Sequence, residues 1–327
     1  MNDTTETRLG ILLWNQATDW PSYEDAALRV DRLGYDHFWA WDHLYAIFGD
    51  PYQPILEGWT SIAALSRITT RVRLGLLVGA NPLRNPGLVA KLATTLDHAS
   101  GGRAILGLGG AWFGLEHHAH GIDFGTGFGQ RLDWLDEAVG VTRRLLDGEE
   151  VTSPPGSHYA FDHLRHAPLP LQAHLPIMIG GSGEKKTLRT VARYADMWNA
   201  FGDAPTLARK ADVLRAHCAD VGRDPAEIEF TVGCKPLIRD SEAEARRVWE
   251  AQMAHNRTPM ENVATDQSFW VGTPKQIAER MIALRAAGFG TFIGELPAPY
   301  DSETIERWIG EVKPMVDAAV GAATGPT

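Results

Sequence analysis

The residues best suited to chemistry follow short apolar runs along the chain. Asp42 and His43 come directly after the apolar run 36–41. A histidine exchanges protons near neutral pH, and a neighbouring carboxylate can orient it or bind a ligand. The same dipeptide also suits a helix cap beside a surface histidine. The sequence leaves both interpretations open, and Asp42 and His43 are our candidate catalytic residues.

A glycine-rich loop gives the strongest single signal. It lies between an apolar run and a helical pattern, and its residues are Gly180, Gly181, Ser182 and Gly183. Backbone N–H groups exposed at the start of a helix bind phosphate, and Lys185 and Lys186 add positive charge. The loop is not a P-loop, because no Gly-Lys-Ser/Thr follows at the required spacing. We predict a phosphate site here, with a plain glycine-rich turn as the alternative.

Two other loops combine small residues with a group that could contact a ligand. In the first, Gly79 and Asn81 allow close approach of the backbone and Arg84 can pair with an anion, although a turn that caps the next helix is equally compatible. In the second, Trp112 follows the glycines of the segment 107–110. This segment lacks the third glycine of the dinucleotide fingerprint. It suits either a flat ring at a ligand site or a tight turn with a packed tryptophan.

Histidines and cysteines suggest no metal or disulfide. The histidine groups at 117, 118 and 120 and at 158, 163 and 166 lack the spacing of a known metal site, so we expect solvated loop histidines and no metal. Cys218 and Cys234 form no CxxC pair, and we expect two reduced thiols.

The elements that position these loops alternate regularly between strand and helix. Eight apolar runs that predict strands begin near residues 9, 36, 72, 104, 176, 197, 228 and 291. Helical patterns separate them, which implies parallel strands joined by right-handed crossovers. We therefore predict an α/β fold, a single (β/α)₈ TIM barrel over residues 1–327, whose strand ends carry the functional loops. The proline-rich segment 147–175 is predicted as an insertion after the fourth βα unit, with a short hairpin, and 321–327 as a disordered tail.

The net charge and the apolar content of the chain limit the kinds of partner that we expect. The chain has 327 residues and a formal net charge of −10, so nucleic acid is not an expected partner. The N-terminal residues do not read as a secretion signal, and no apolar stretch is long enough to span a membrane. We expect a cytoplasmic protein that acts on a small molecule.

Taken together, these loops resemble those of the luciferase-like flavin and deazaflavin oxidoreductases. The resemblance covers nearly the whole chain, and its matching stretches are 74–78, 84–86, 96–113, 116–117, 131–138, 177–199 and 271–274. Within the family the chain is most similar to actinobacterial enzymes that use the deazaflavin coenzyme F420. The resemblance implies that the coenzyme phosphate lies on the loop 180–183. It also implies backbone contact of the ring near Val78 and Gly79, where relatives carry a non-proline cis peptide.

The resemblance also bears on the reaction. Asp42 and His43 match a pair that contacts the coenzyme and handles the proton in sugar-phosphate-oxidising relatives. Those relatives carry a tryptophan where this chain has Ile47 and a catalytic glutamate near the position of Trp112, so we do not expect sugar-phosphate oxidation. Homodimers are usual in the family, and we expect one here.

Three functions follow from this resemblance. The first is an F420-dependent oxidoreductase that transfers a hydride between the deazaflavin and a small organic substrate, with His43 as general acid and with Trp14, Trp41 and Trp112 as walls of the pocket. The alternative is a monooxygenase that uses reduced FMN and oxygen. The third is a barrel that binds flavin without turnover.

Overall fold

A computed structural model describes residues 6–324 of the chain. Its strands are β1 Arg8–Leu13, β2 His37–Ala40, β3 Arg73–Leu76, β4 Gly79–Ala80, β5 Leu106–Gly109, β6 Ile177–Gly180, β7 Met197–Ala200, β8 Glu229–Ile238, β9 Phe269–Gly272 and β10 Thr291–Leu296. Its α-helices are α1 Trp20–Leu33, α2 Gly58–Ser66, α3 Pro86–Ser100, α4 Gly114–Ala119, α5 Phe128–Leu146, α6 Thr187–Tyr194, α7 Ala204–Val221, α8 Glu242–His255, α9 Pro274–Ala286, α10 Ser302–Arg307 and α11 Lys313–Thr324.

The strands form one parallel sheet that curls into a barrel. Their order is β3-β2-β1-β10-β8-β7-β6-β5-β4, and β9 pairs with the far end of β8. The two ends of the sheet meet at Leu74, whose N–H donates to the Arg103 carbonyl at 2.9 Å and whose carbonyl accepts from Ile105 at 2.8 Å. β3 and β4 together form the third barrel strand. The predicted (β/α)₈ TIM barrel is therefore confirmed.

Alternate residues of each strand pack in opposite directions, because side chains on a strand point to its two faces in turn. One set faces the helices and forms the larger core cluster. The other set fills the barrel, and it includes Leu12, Trp39, Ile105, Met178 and Ile293. The barrel interior is thus a packed core, and a ligand is expected to bind at the loops on its carboxyl end.

The third strand differs from the prediction. We expected one strand from 72 to 78, but it is interrupted between β3 and β4, and the Leu77–Val78 peptide bond at the break is cis. The non-proline cis peptide that the resemblance implied near Val78 and Gly79 is confirmed.

β8, which is the seventh strand of the barrel because β3 and β4 count as one, is longer than the predicted run 228–234. The reason is β9, which we did not predict: residues 269–272 pair in parallel with residues 235–238 and extend the strand beyond the barrel. The short helix α4 was also missed, since six residues give too little periodicity to detect.

Three other segments can be compared with the predictions. Residues 147–176 contain no helix, and Val151 and Leu164 form the bridge of a short hairpin. Residues 321–324, which we predicted as part of a disordered tail, are the last residues of α11, and residues 325–327 lie outside the described residues. No helix within 6–324 is long and apolar enough to cross a membrane.

Candidate active site

His43 is held at the carboxyl end of the barrel by a buried carboxylate. The loop after β2 carries His43, and α4, after β5, carries Glu116. The His43 Nδ1 atom lies 2.9 Å from Glu116 Oε1, and the Leu44 N–H donates to Oε2 at 2.7 Å. With Nδ1 donating to the carboxylate, Nε2 is left without a partner among residues 6–324. This geometry fixes an imidazole whose second nitrogen can exchange a proton with a ligand.

Glu116 stays ionised in this arrangement. Burial alone would raise the pKa of its carboxyl, but hydrogen bonds from His43 and Leu44 and the charge of nearby histidines outweigh burial and lower the pKa. A carboxylate that stays charged stabilises a positive imidazole. His43 and Glu116 can therefore act together as a proton donor and its positioning partner.

Asp42 takes part in a separate ion-pair network. Its carboxylate accepts from Arg84 Nη1 at 2.9 and 2.7 Å and from the Ala80 N–H at 2.9 Å. Arg84 also donates to Glu57 Oε1 at 2.9 Å. Burial raises the pKa of Asp42 above its usual range, and Arg84 opposes this shift. The structure thus assigns Asp42 and Arg84 to a common contact that ties the loop after β2 to the turn after β4.

The glycines around Val78 make room for its side chain. A Cβ at Gly109 would lie 2.6 Å from one Val78 methyl carbon, and a Cβ at Gly180 would lie 2.9 Å from both. Gly79 is buried beside Asp42. A Cβ there would lie 2.8 Å from the Gly107 carbonyl oxygen, so only glycine fits. These glycines therefore bring three strand ends together beneath the mouth of the barrel.

The Gly-Gly-Ser-Gly loop leaves backbone donors free. The Gly181 N–H is used, since it donates to the Asn199 carbonyl at 2.9 Å. The N–H groups of Ser182 and Gly183 have no acceptor among residues 6–324, and both residues are accessible. Helix α6 begins at Thr187, and residues 184–186 before it form a turn. Free N–H groups just before a helix suit one phosphate group.

The two lysines after this loop differ in their partners. Lys186 Nζ lies 2.7 Å from both carboxylate oxygens of Asp133 and donates to the Gly129 carbonyl at 3.0 Å. Lys185 is exposed and forms no ion pair with residues 6–324. Of the cations predicted to hold an anionic coenzyme, Arg84 and Lys186 are already neutralised, so Lys185 remains available.

Aromatic rings line the mouth at two levels. Trp14 is fully buried beneath Phe48, with ring centroids 4.1 Å apart, and Trp41 packs beside them. Trp112 is 60% exposed and meets the His43 ring edge-on at 5.8 Å. Of the three predicted tryptophan walls, Trp112 borders open space beside His43, whereas Trp14 is covered and supports the floor.

Three polar residues of the site were not predicted. Glu116 follows a strand by several residues and belongs to a helix that the sequence did not reveal. Glu295 lies one residue before the end of β10, and Lys235 lies in the part of β8 that β9 stabilises. Both are buried. A search for charged residues at strand carboxyl ends would have found Glu295, since charge is rare in barrel interiors.

The remaining candidates lie near the mouth but are used in packing. Asn81 is buried, and its amide donates to the Tyr159 hydroxyl of the insertion at 2.9 Å. Burial raises the pKa of Tyr159 to about 12. The expectation of solvated histidines is wrong for His117 and His166, which are buried against neighbouring side chains. No set of three metal-binding side chains comes together within residues 6–324.

Comparison with known proteins identifies a family. A family profile described as luciferase-like monooxygenase matches residues 7–291. An uncharacterized protein of Mycobacterium bovis is 31% identical over 188 residues, which cover 58% of this chain and 65% of that protein. This chain therefore spans less than two thirds of that relative. A pyrimidine monooxygenase of Rhizobium rhizogenes is 28% identical over 309 residues, covering 89% of this chain and 81% of the relative.

Solved structures share the fold. An F420-dependent secondary alcohol dehydrogenase, in complex with an F420–acetone adduct, superposes with a TM-score of 0.80. It is 20% identical, and the superposition covers 95% of this chain and 99% of the dehydrogenase. At that identity the likeness establishes the barrel and its connections alone.

Proposed function

The chain belongs to the luciferase-like monooxygenase family, and we propose that it is an F420-dependent oxidoreductase that transfers a hydride between the deazaflavin and a small organic substrate. The observation that carries this proposal is the contact between His43 and Glu116, 2.9 Å apart at the mouth of the barrel. Reduction of a carbonyl by hydride leaves a negative oxygen that needs a proton. An imidazole fixed by a buried carboxylate, with Nε2 free, meets that need.

The residues available to the coenzyme fit its phosphate end. The Ser182 and Gly183 N–H groups and the Lys185 ammonium would hold one phosphate, and the backbone at Val78 and Gly79 would contact the ring. When bound, the reduced deazaflavin supplies a hydride to an electron-poor carbon of the substrate. His43 supplies the proton to the substrate oxygen, and Glu116 holds the imidazole during this transfer. Trp112 shields the imidazole from water.

The monooxygenase that uses reduced FMN is the second candidate, and a specific observation favours it. Arg84 and Lys186 are paired with carboxylates, so Lys185 is the one of the three cations predicted to hold the anionic coenzyme that forms no ion pair within residues 6–324. One free cation suits the single phosphate of FMN at least as well as the longer anionic tail of F420. The two functions therefore share one site and differ in the coenzyme.

Titration of the purified protein with F420 and with FMN, followed by quenching of tryptophan fluorescence, tests the choice. Micromolar or tighter binding of F420 with much weaker binding of FMN supports the deazaflavin enzyme. The reverse preference supports the monooxygenase, and binding of neither refutes both coenzymes. Turnover is then measured as oxidation of reduced F420 by acetophenone, where the carbonyl carbon gains the hydride and the oxygen gains the proton. Tight coenzyme binding without turnover on any tested carbonyl would favour a barrel that binds without catalysis.

A further inference from the structure

The two ends of the segment that carries Glu116 are joined by one buried side chain. Helix α4, which holds Glu116, lies between β5 and α5. Arg131, near the start of α5, donates from Nε to the Ala111 carbonyl at 3.3 Å and from Nη1 to the Phe124 carbonyl at 3.1 Å. Ala111 precedes α4 and Phe124 follows it, so a single guanidinium holds both ends of the segment 111–124.

Arg131 is buried for these contacts and not for an ion pair. It is 6% exposed and forms no ion pair with residues 6–324. Its guanidinium carbon lies 3.7 Å from the centroid of the Phe124 ring and 5.4 Å from that of Phe128. Burying a cation is costly unless other groups replace its contacts with water. Here the two carbonyls and the rings are those groups, and all of them belong to the chain between β5 and α5 or to the first residue of α5.

The Phe124 ring carries this contact on to α4. A Cβ at Gly114, the first residue of α4, would lie 3.0 Å from the Phe124 ring, so the ring packs directly on the start of the helix. The ring of His117, also in α4, lies 4.5 Å from that of Phe124 between centroids. His117 is the residue after Glu116. Arg131, Phe124 and α4 therefore form a continuous set of contacts that ends one residue from the carboxylate of the site.

The helix needs this support, because α4 cannot fix Glu116 by its own stability. It has six residues, and no side chain caps its first turn. Isolated helices shorter than about 12 residues are marginal in water. Ala111 also has a φ of +57°, a left-handed conformation that is unfavourable for alanine and persists only where surrounding contacts enforce it. The hydrogen bond from Arg131 to the Ala111 carbonyl is one such contact.

We propose that Arg131 is a positioning residue for the proton transfer, and that it acts by holding α4 where Glu116 fixes the imidazole of His43. The inference rests on the proposed function for the identity of the reaction. The hydrogen bonds of Arg131 go to Ala111 and Phe124, so its effect on the imidazole passes through Glu116. Removing Arg131 should therefore release Glu116 first and impair His43 as a consequence.

The Leu44 amide reports on Glu116 without any turnover, because its N–H donates to Glu116 Oε2 at 2.7 Å. Hydrogen exchange of the coenzyme-free protein should be at least about tenfold faster at Leu44 in Arg131→Met than in the wild type. Arg131→Lys keeps the charge and one donor, and its exchange rate should lie between the two. Glu116→Gln should accelerate exchange at Leu44 as well.

Arg143→Met is the matched control for this measurement. Arg143 lies near the other end of α5, where it donates to the Leu175 carbonyl. Its loss should lower the midpoint of urea unfolding and leave exchange at Leu44 unchanged. Unchanged exchange at Leu44 in Arg131→Met, or an equal acceleration in Arg143→Met, would overturn the proposal.

Kinetics then test whether Arg131 acts through Glu116. With reduced F420 and acetophenone, Arg131→Met should lower kcat about 5- to 20-fold, move the pH profile in the same direction as Glu116→Gln, and leave KM within about threefold. In the double variant Arg131→Met/Glu116→Gln, kcat should be less than about twofold below that of Glu116→Gln, because the carboxylate that Arg131 positions is already gone. Independent effects that multiply in the double variant would refute the route through Glu116.

A direct contact between Arg131 and the coenzyme is the rival role. Titration with F420 and FMN should give dissociation constants for Arg131→Met within about threefold of the wild type. Weaker coenzyme binding with unchanged exchange at Leu44 would make Arg131 a ligand-binding residue and overturn the proposal. If the wild type binds neither coenzyme, the oxidoreductase proposal fails, and exchange at Leu44 in the coenzyme-free protein still decides whether Arg131 positions Glu116.

Discussion

Removing Arg84 should expose how much the barrel mouth depends on the buried charge of Asp42. In Arg84→Met the Asp42 carboxylate, 2% exposed, loses two hydrogen bonds of 2.9 and 2.7 Å and keeps only the one from the Ala80 N–H. Breaking a buried ion pair by deleting one partner costs about 3–5 kcal/mol, because an uncompensated charge stays buried. The contact to Glu57, which is 38% exposed, adds a few tenths of a kcal/mol at most.

This loss should depend on pH in a defined direction. Burial already raises the pKa of Asp42 above its usual value of 3.8, and Arg84 opposes the shift, so the variant has a higher pKa still. A carboxyl with a raised folded-state pKa binds more protons when folded than when unfolded, and stability falls as pH rises through that window. The pH window between the unfolded-state and the folded-state pKa of Asp42 is wider in the variant. The stability gap between wild type and Arg84→Met should therefore shrink as the pH is lowered, because the neutral carboxyl no longer needs a counter-charge.

Urea unfolding followed by tryptophan fluorescence, between about pH 5 and about pH 8, measures this gap. The double variant Asp42→Asn/Arg84→Met removes both charges and should recover at least about half of the loss. A gap that is constant with pH, or a double variant no more stable than Arg84→Met, would refute the assignment of the stabilisation to this pair.

Three further changes test the site and the barrel. Glu116→Gln should lower kcat for acetophenone about 10- to 100-fold and change its pH profile while coenzyme binding is retained, because the imidazole loses its charged acceptor. Lys185→Gln should weaken coenzyme binding about tenfold, and Lys186→Gln less than about threefold, because Lys186 is already paired with a carboxylate. Gly294→Ala should lower the free energy of unfolding by about 2 kcal/mol, since its Cβ would lie 2.1 Å from the fully buried Trp308 ring.

For each of these three changes, one result would contradict the prediction. For Glu116, an unchanged pH profile together with lower kcat would point to general disruption of the site. Equal effects at Lys185 and Lys186 would show that the pairing of Lys186 has no consequence. Gly310→Ala serves as the control for Gly294, because a Cβ there meets nothing within 4 Å, and it should leave the urea midpoint nearly unchanged.

Local patterns were enough to predict most of the barrel. The run from Leu9 to Trp14, and the run from Thr291 to Glu295 apart from Glu295 itself, are mostly apolar because parallel strands of a barrel are covered on both sides, and that requirement is visible in sequence. The order of strands and helices then admits few topologies. The glycine-rich loop was found for the same reason, since its glycines are adjacent in the chain.

Contacts between distant segments could not be predicted in this way. β9 forms only because residues 235–238 offer it an edge, and nothing in its four residues demands a strand. Arg84 illustrates the same limit: its charge was evident, but its carboxylate partners lie 42 and 27 residues earlier in the chain. Because the sequence does not show these partners, it cannot distinguish an arginine that forms ion pairs from one that forms none.

The sequence by itself thus determined the barrel, the loops that carry function and the candidate residue His43, because these follow from periodicity, composition and resemblance along the chain. Only the tertiary structure decided which charges are neutralised and which are free. It paired His43 with Glu116, 73 residues away, tied Asp42 to Arg84, and placed Glu295 beside Lys235 inside the barrel. The physical reason is that desolvation and pairing depend on neighbours in space, and folding brings together neighbours that the order of residues does not reveal.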